Sequence, residues 1–168
     1  FLQVNRGVCR KLYERVARVG LESGATAAID AYSGGGILTA LLARQIGKAY
    51  GIEAVAEASA CADALVEPNK LEGRMFNICG CVEDKLPEVL NGLIAKETFL
   101  VVDPPRKGVD RGTLRALLES GIPRIAMISC NPATMARAVG ILTGALIEEG
   151  NELKKNPNYT AGGKDGYY

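Results

Sequence analysis

Arg124-Ile125-Ala126-Met127-Ile128-Ser129-Cys130-Asn131-Pro132-Ala133-Thr134 passes from an apolar, strand-like run into a tight turn and then a helix start. Asn131 suits an N-cap and Pro132 the first helical position, so the helix is expected to begin directly after Cys130 and run to about Glu149. This places one thiol at the carboxyl end of a strand and against the positive end of a helix. Open α/β sheets bind ligands at strand carboxyl ends, and helix N-termini favour the thiolate. An activated nucleophile fits this setting. Taken alone, the segment favours a small buried cysteine beside a turn, and only the rest of the chain reverses that order.

Working outward, apolar runs alternate with helical patterns along the chain. Strands are expected at 26–30, 48–52, 74–79, 98–103 and 124–128. Helices are expected at about 5–19, 37–46, 55–66, 83–94 and 111–119. In the first helix, Val8, Leu12, Val16 and Val19 share one side, which predicts its core face. Strand–helix alternation means βαβ units, a parallel sheet with helices on both faces and right-handed crossovers. The class is therefore α/β.

With 168 residues, 48% of them hydrophobic and 23% charged, the chain can build one domain with a real core. It is expected to form a single domain over 1–168, excised and C-terminally incomplete, with 151–168 as a polar, Gly-rich loop or tail before missing strands. No run is long enough for a membrane span, and no signal-peptide pattern opens the sequence. A net charge of +1 and a pI of 7.8 give little support to a broad nucleic-acid-binding face. The five cysteines are odd in number and lack framework spacing, which points to a reducing, cytoplasmic setting. Only Cys79 and Cys81 are close in sequence and there is no histidine, so no metal is expected and Cys-His or Ser-His catalysis is excluded within these residues.

Three constellations carry chemistry. In the first, Asp30-Ala31-Tyr32-Ser33-Gly34-Gly35-Gly36 joins a strand to a helix, and Glu53 closes the next strand. Glycines such as Gly34 and Gly36 let a ligand approach the backbone, and the acid can accept both hydroxyls of a ribose. Tyr32 takes the place of the first glycine in a dinucleotide fingerprint, which leans towards S-adenosylmethionine. In the second, Asp103-Pro104-Pro105-Arg106 follows the fourth strand, and its prolines stiffen the loop that aims Asp103 into the cleft. Amino-group methyltransferases often carry an aromatic residue after Asp-Pro-Pro; Arg106 stands there instead and offers a phosphate or base contact. Cys130 is the third.

Together, Phe-Leu-Gln-Val-Asn (1–5), Asp-Ala-Tyr-Ser-Gly-Gly-Gly (30–36), Gly-Ile-Glu (51–53), Val-Val-Asp-Pro-Pro-Arg-Lys-Gly (101–108) and Ser-Cys-Asn-Pro-Ala-Thr-Met-Ala-Arg (129–137) resemble the RNA uracil-5-methyltransferase family. The similarity runs in the family's order from Phe1 to about Leu142. It implies a Rossmann-like class I S-adenosylmethionine-dependent methyltransferase fold and 5-methyluridine formation in tRNA or rRNA. By the same resemblance, Gln3, Tyr32, Glu53 and Asp103 contact the methyl donor and Cys130 is the nucleophile; Arg106 and Asn131 are the candidate substrate-binding residues. The implied chemistry is addition of the Cys130 thiolate to C6 of a flipped-out uracil, which makes C5 nucleophilic.

Ile37 and Cys81 stand where the family usually has polar residues, and Ser33 where it often has cysteine. The family's basic glutamate lies in a His-x-Glu-type motif that this sequence lacks; Glu148, Glu149 and Glu152 do not match it, so the base is expected beyond Tyr168. The family's N-terminal RNA-binding β-barrel is also missing. Two other readings use the glycine turn and Glu53: an NAD-dependent oxidoreductase, and a non-catalytic nucleotide- or RNA-binding module. The first leaves Asp-Pro-Pro-Arg and Ser-Cys-Asn-Pro unexplained.

Overall fold

A computed structural model describes residues 6–149 and 152–159. Five strands, β1 (Ala27–Ala31), β2 (Lys48–Glu53), β3 (Met75–Cys79), β4 (Thr98–Val102) and β5 (Arg124–Met127), form one sheet in the order β3-β2-β1-β4-β5. All four pairings are parallel. α1 (Arg6–Glu22) precedes them, α2 (Ile37–Ile46), α3 (Ala56–Asp63), α4 (Val82–Leu90) and α5 (Arg111–Glu119) run between them, and α6 (Pro132–Leu142) follows β5.

Both faces of the sheet are covered, as the apolar strands require. Ala28, Phe99 and Val101 point to one layer, where they meet Val16 and Ala17 of α1, Leu38 and Leu42 of α2 and Ala62 of α3. Ile29, Ala31, Leu100 and Val102 point to the other, among Leu86 of α4, Leu114 and Leu117 of α5 and Ala138 of α6. Strand order turns back at β1, where one crossover leads outward to β2 and the later one to β4. That is the switch point at which open α/β sheets hold their ligands.

Helix faces and ends differ from the sequence reading in five places, the first being that α1 runs through Gly20 to Glu22, past the end expected near Val19. Val8, Leu12 and Val19 of α1 are exposed, and the helix packs instead through Tyr13, Val16 and Ala17. The cause is Gly20: a Cβ there would lie 2.7 Å from both Ile46 Cδ1 and Phe99 Cδ1, so α1 sits too close to the sheet at Gly20 for a larger residue. The third helix stops at Asp63, short of Val66, and a 3-10 turn over Glu67–Asn69 accommodates Pro68. The fourth stops at Leu90, where the expected helix ran to Ile94.

The largest difference is at α6, which ends at Leu142 rather than near Glu149. Gly144 takes φ 76 and terminates the helix in the left-handed conformation that glycine tolerates best. The chain then folds back as β6 (Leu146–Glu149), where the end of the helix was expected, antiparallel to β7 (Glu152–Lys155), where a loop or tail was expected. Gly140 leaves room for it, since a Cβ there would sit 2.6 Å from Leu146 Cδ1. The lead-in 1–5, with Gln3 and the expected cap Asn5, lies outside the described residues, as does 160–168.

Candidate active site

Parallel register brings the carboxyl ends of β1, β2, β4 and β5 to one edge. Ala31 pairs with Ile52 on one side and Val102 on the other, and Val102 pairs with Met127. The residues immediately after these strands are therefore neighbours: Tyr32 and the glycine turn, Glu53, Asp103, and the Ser129-Cys130 turn. Backbone bonds extend the alignment beyond the strands, from Asp103 N–H to Ala31 O (3.4 Å) and from Ile128 N–H to Val102 O (2.9 Å).

The glycine turn is locked to β2. Ser33 N–H donates to Ile52 O at 3.0 Å. The Glu53 carboxylate accepts from Gly34 N–H through one oxygen and from Val55 N–H through the other, both at 2.8 Å. Two charge-assisted bonds fix that side chain between the loops after β1 and β2. Each oxygen keeps a further lone pair, so the carboxylate can also accept hydroxyls from a bound ribose. Gly51 permits the crossing, because a Cβ there would come within 2.9 Å of Ser33 Oγ and Thr39 Oγ1. Gly36, at φ 78, lies against α3 and β3, 2.6 Å from Ala62 Cβ if a Cβ were added. Above Gly34 a Cβ would meet nothing within 4 Å, so the turn is open on that side. Ile37, the first residue of α2, is exposed, as is Cys81, the N-cap of α4.

Beneath the turn, Asp30 is fully buried and accepts from Thr39 Oγ1 at 2.7 Å. Burial pushes its carboxyl up to about 7; the Thr39 bond opposes the rise and the nearby Asp103 adds to it. Asp103 is half-buried and is likewise raised by burial. Tyr13, reaching over from α1, has its phenol raised by burial first, then by Cys9 and Asp103.

Tyr32 adopts φ 67, unusual for a residue with a Cβ. Its hydroxyl is 3.0 Å from Thr113 Oγ1 and 3.3 Å from Asp110 Oδ2 at the start of α5. Burial pushes that phenol up to about 12, with Thr113 opposing and Asp110 reinforcing the rise.

The last two loops also touch. Pro105-Arg106-Lys107-Gly108 is a turn closed by Gly108 N–H to Pro105 O at 2.8 Å, which leaves Arg106 and Lys107 exposed. Gly108, at φ 83, abuts the first turn of α6, where a Cβ would fall 2.8 Å from Thr134 Cβ. Asn131 caps α6 as expected, accepting from Ala133 N–H (3.1 Å) and Thr134 N–H (3.5 Å). Cys130 is exposed at that turn, one strand over from Asp103, not packed behind the sheet.

Of the residues proposed from sequence, Tyr32, Gly34, Gly36, Glu53, Asp103, Arg106, Cys130 and Asn131 thus share one edge. Sequence reasoning missed Thr39, Tyr13 and Thr113. Only Thr113 had a local signal: Asp110 three residues before it is the spacing of an N-cap, and Thr113 N–H does donate to Asp110 Oδ1 at 2.9 Å.

Sheet order, glycine turn and second-strand acid define a Rossmann-like class I methyltransferase fold. The family model described as tRNA (Uracil-5-)-methyltransferase matches residues 1–146, and the chain belongs to that family. An RNA methyltransferase of Enterococcus faecalis is 37% identical over 156 residues, covering 92% of this chain and 33% of the relative. Another from Lactococcus lactis is 41% identical over 140 residues, 83% of this chain and 30% of the relative. Among solved structures, Pyrococcus abyssi tRNA (uracil-54, C5)-methyltransferase in complex with S-adenosyl-L-homocysteine matches with a TM-score of 0.63 and 25% identity, over 84% of this chain and 33% of that one. A SAM-dependent methyltransferase of Agrobacterium tumefaciens shares the fold at a TM-score of 0.60 and 13% identity, over 78% of this chain and 48% of that one. The chain spans about a third of the length of the curated relatives it matches. Among the described residues, no helix is long and apolar enough to cross a membrane.

Proposed function

We propose that this chain carries the methyl-transfer centre of an RNA uracil-5-methyltransferase. The observation that carries the reading is the juxtaposition, at one sheet edge of a chain of this family, of the Glu53-locked glycine turn, Asp103 and the exposed Cys130. Open space above Gly34 and the acceptor oxygens of Glu53 suit the nucleoside of S-adenosylmethionine, which when bound supplies an electrophilic methyl group. Tyr32, Gly36, Asp103 and Gln3 complete that binding set.

Cys130 is the nucleophile. Its thiolate adds to C6 of the uracil, forming an S–C6 bond, and the C5–C6 π electrons move onto C5 and the C4 carbonyl. C5, otherwise unreactive, then takes up the methyl group as a new C–C bond while the bond from that methyl to the donor sulfur breaks, its electron pair leaving on the sulfur. Loss of the C5 proton to a base and cleavage of the S–C6 bond restore the ring and return the thiolate. The ring reaches Cys130 only when flipped out of its stack. Arg106 and Asn131 flank that approach, and Arg106 supplies a cation for a phosphate or base edge.

A fluorine at C5 cannot leave as a proton, so the adduct is trapped after methyl transfer. Full-length protein incubated with S-adenosylmethionine and 5-fluorouridine RNA is expected to form a denaturation-resistant protein–RNA band. Cys130→Ala is expected to abolish it. A band that persists in the alanine variant rules out this nucleophile.

A further inference from the structure

We infer that Thr113 is a positioning residue for the methyl-donor site, acting through the hydroxyl of Tyr32; this rests on the reading of the cleft given above. The starting observation is the strain at Tyr32, whose φ of 67 places a bulky residue in the left-handed region at the mouth of the glycine turn. Such a conformation is unfavourable for a residue with a Cβ and persists only where the surroundings impose it.

What imposes it is on a different part of the chain. The Tyr32 O–H donates to Thr113 Oγ1 at 3.0 Å, with Asp110 Oδ2 as a longer second acceptor at 3.3 Å, and the Thr113 O–H is in turn within reach of Asp110 Oδ2 (3.0 Å) and Glu83 Oε2 (3.2 Å). Thr113 is wholly buried, although it lies in α5, which otherwise buries Leu114, Ala116 and Leu117. A buried hydroxyl placed between a phenol and two carboxylates is a hydrogen-bond relay: it accepts from the tyrosine and donates to one of the acids. Because Asp110 is also the cap of α5, the relay ties the turn after β1 to the helix that follows Asp103-Pro104-Pro105-Arg106.

The consequence is specific. Without the Thr113 hydroxyl, Tyr32 loses the acceptor nearest its phenol, and the strained turn that holds Gly34 against Glu53 can relax. Affinity for the nucleoside should fall while the core, which buries its apolar surface elsewhere, persists.

Calorimetric titration of the chain with S-adenosylhomocysteine, well below the melting temperature of each protein, tests this. Thr113→Val is expected to weaken binding about fivefold, roughly the worth of one hydrogen bond, and Thr113→Ser to restore it. Tyr32→Phe is expected to weaken binding similarly, and to add nothing in the Thr113→Val background. Unchanged affinity in Thr113→Val, failure of serine to rescue, or additive losses in the double variant would each overturn the relay. Binding by the parent chain is a separate readout: if the parent binds and the ratios do not change, only this inference falls.

Discussion

Glu53 is the side chain on which the cleft depends most directly. Both carboxylate oxygens are held by backbone N–H groups of two different loops, so a carboxamide cannot substitute for it: its NH2 would face one of those donors. Glu53→Gln is expected to weaken S-adenosylhomocysteine binding about tenfold, between the loss of one bond and the exposure of a mispaired donor. Titration calorimetry measures it, and parent-like affinity would remove Glu53 from the site. Asp30 makes a different prediction. Its folded carboxyl sits at about 7, above its ordinary 3.8, so the folded state holds a proton that the unfolded chain releases. Stability from that proton is fully present below pH 4 and is lost as pH rises through 7. In Asp30→Asn this dependence is absent, so the melting temperature of the variant relative to the parent should climb between pH 4 and 7. A constant difference across that range would contradict a protonated Asp30.

At the scale of elements, glycines determine where helices may sit. Gly36 combines a left-handed φ with a hypothetical Cβ 3.1 Å from the Ala62 backbone, so neither rotation nor a side-chain shift relieves the clash. Gly36→Ala is expected to cost roughly 2–4 kcal/mol, strain and overpacking together. A urea midpoint close to the parent's would show that α3 can move away. Gly20 and Gly140 act in the same manner for α1 and for the hairpin, and they mark the two elements whose packing differs most from sequence periodicity. Helix periodicity names an apolar side; close approach at one glycine decides which side is used.

Across the whole molecule, the site exists because parallel register sets several strand ends level. The loops themselves share little sequence proximity, with Tyr32 and Thr113 separated by 81 positions. A ligand that bridges these loops binds only the folded state. Saturation with S-adenosylhomocysteine at about a hundred times its dissociation constant should therefore stabilise the chain by about 2.7 kcal/mol, raising the melting temperature by roughly 5–10 °C. Differential scanning fluorimetry would detect it, and an absent shift would count against a nucleoside site in this chain.

The five strands of the sheet could be read from the amino-acid order, because apolar, β-branched runs flanked by turn residues have few other uses. That order by itself also determined the Asn131 cap, the glycine turn and the chemistry available at Glu53, Asp103 and Cys130, since those depend on neighbours a few residues away. Only the tertiary structure decided the working face of α1, the end of α6 and its hairpin, the Thr39 bond to Asp30, and the link from Tyr32 to Thr113. Those rest on contacts between distant segments, whose distances are set by how closely layers pack and leave no periodic trace along the chain.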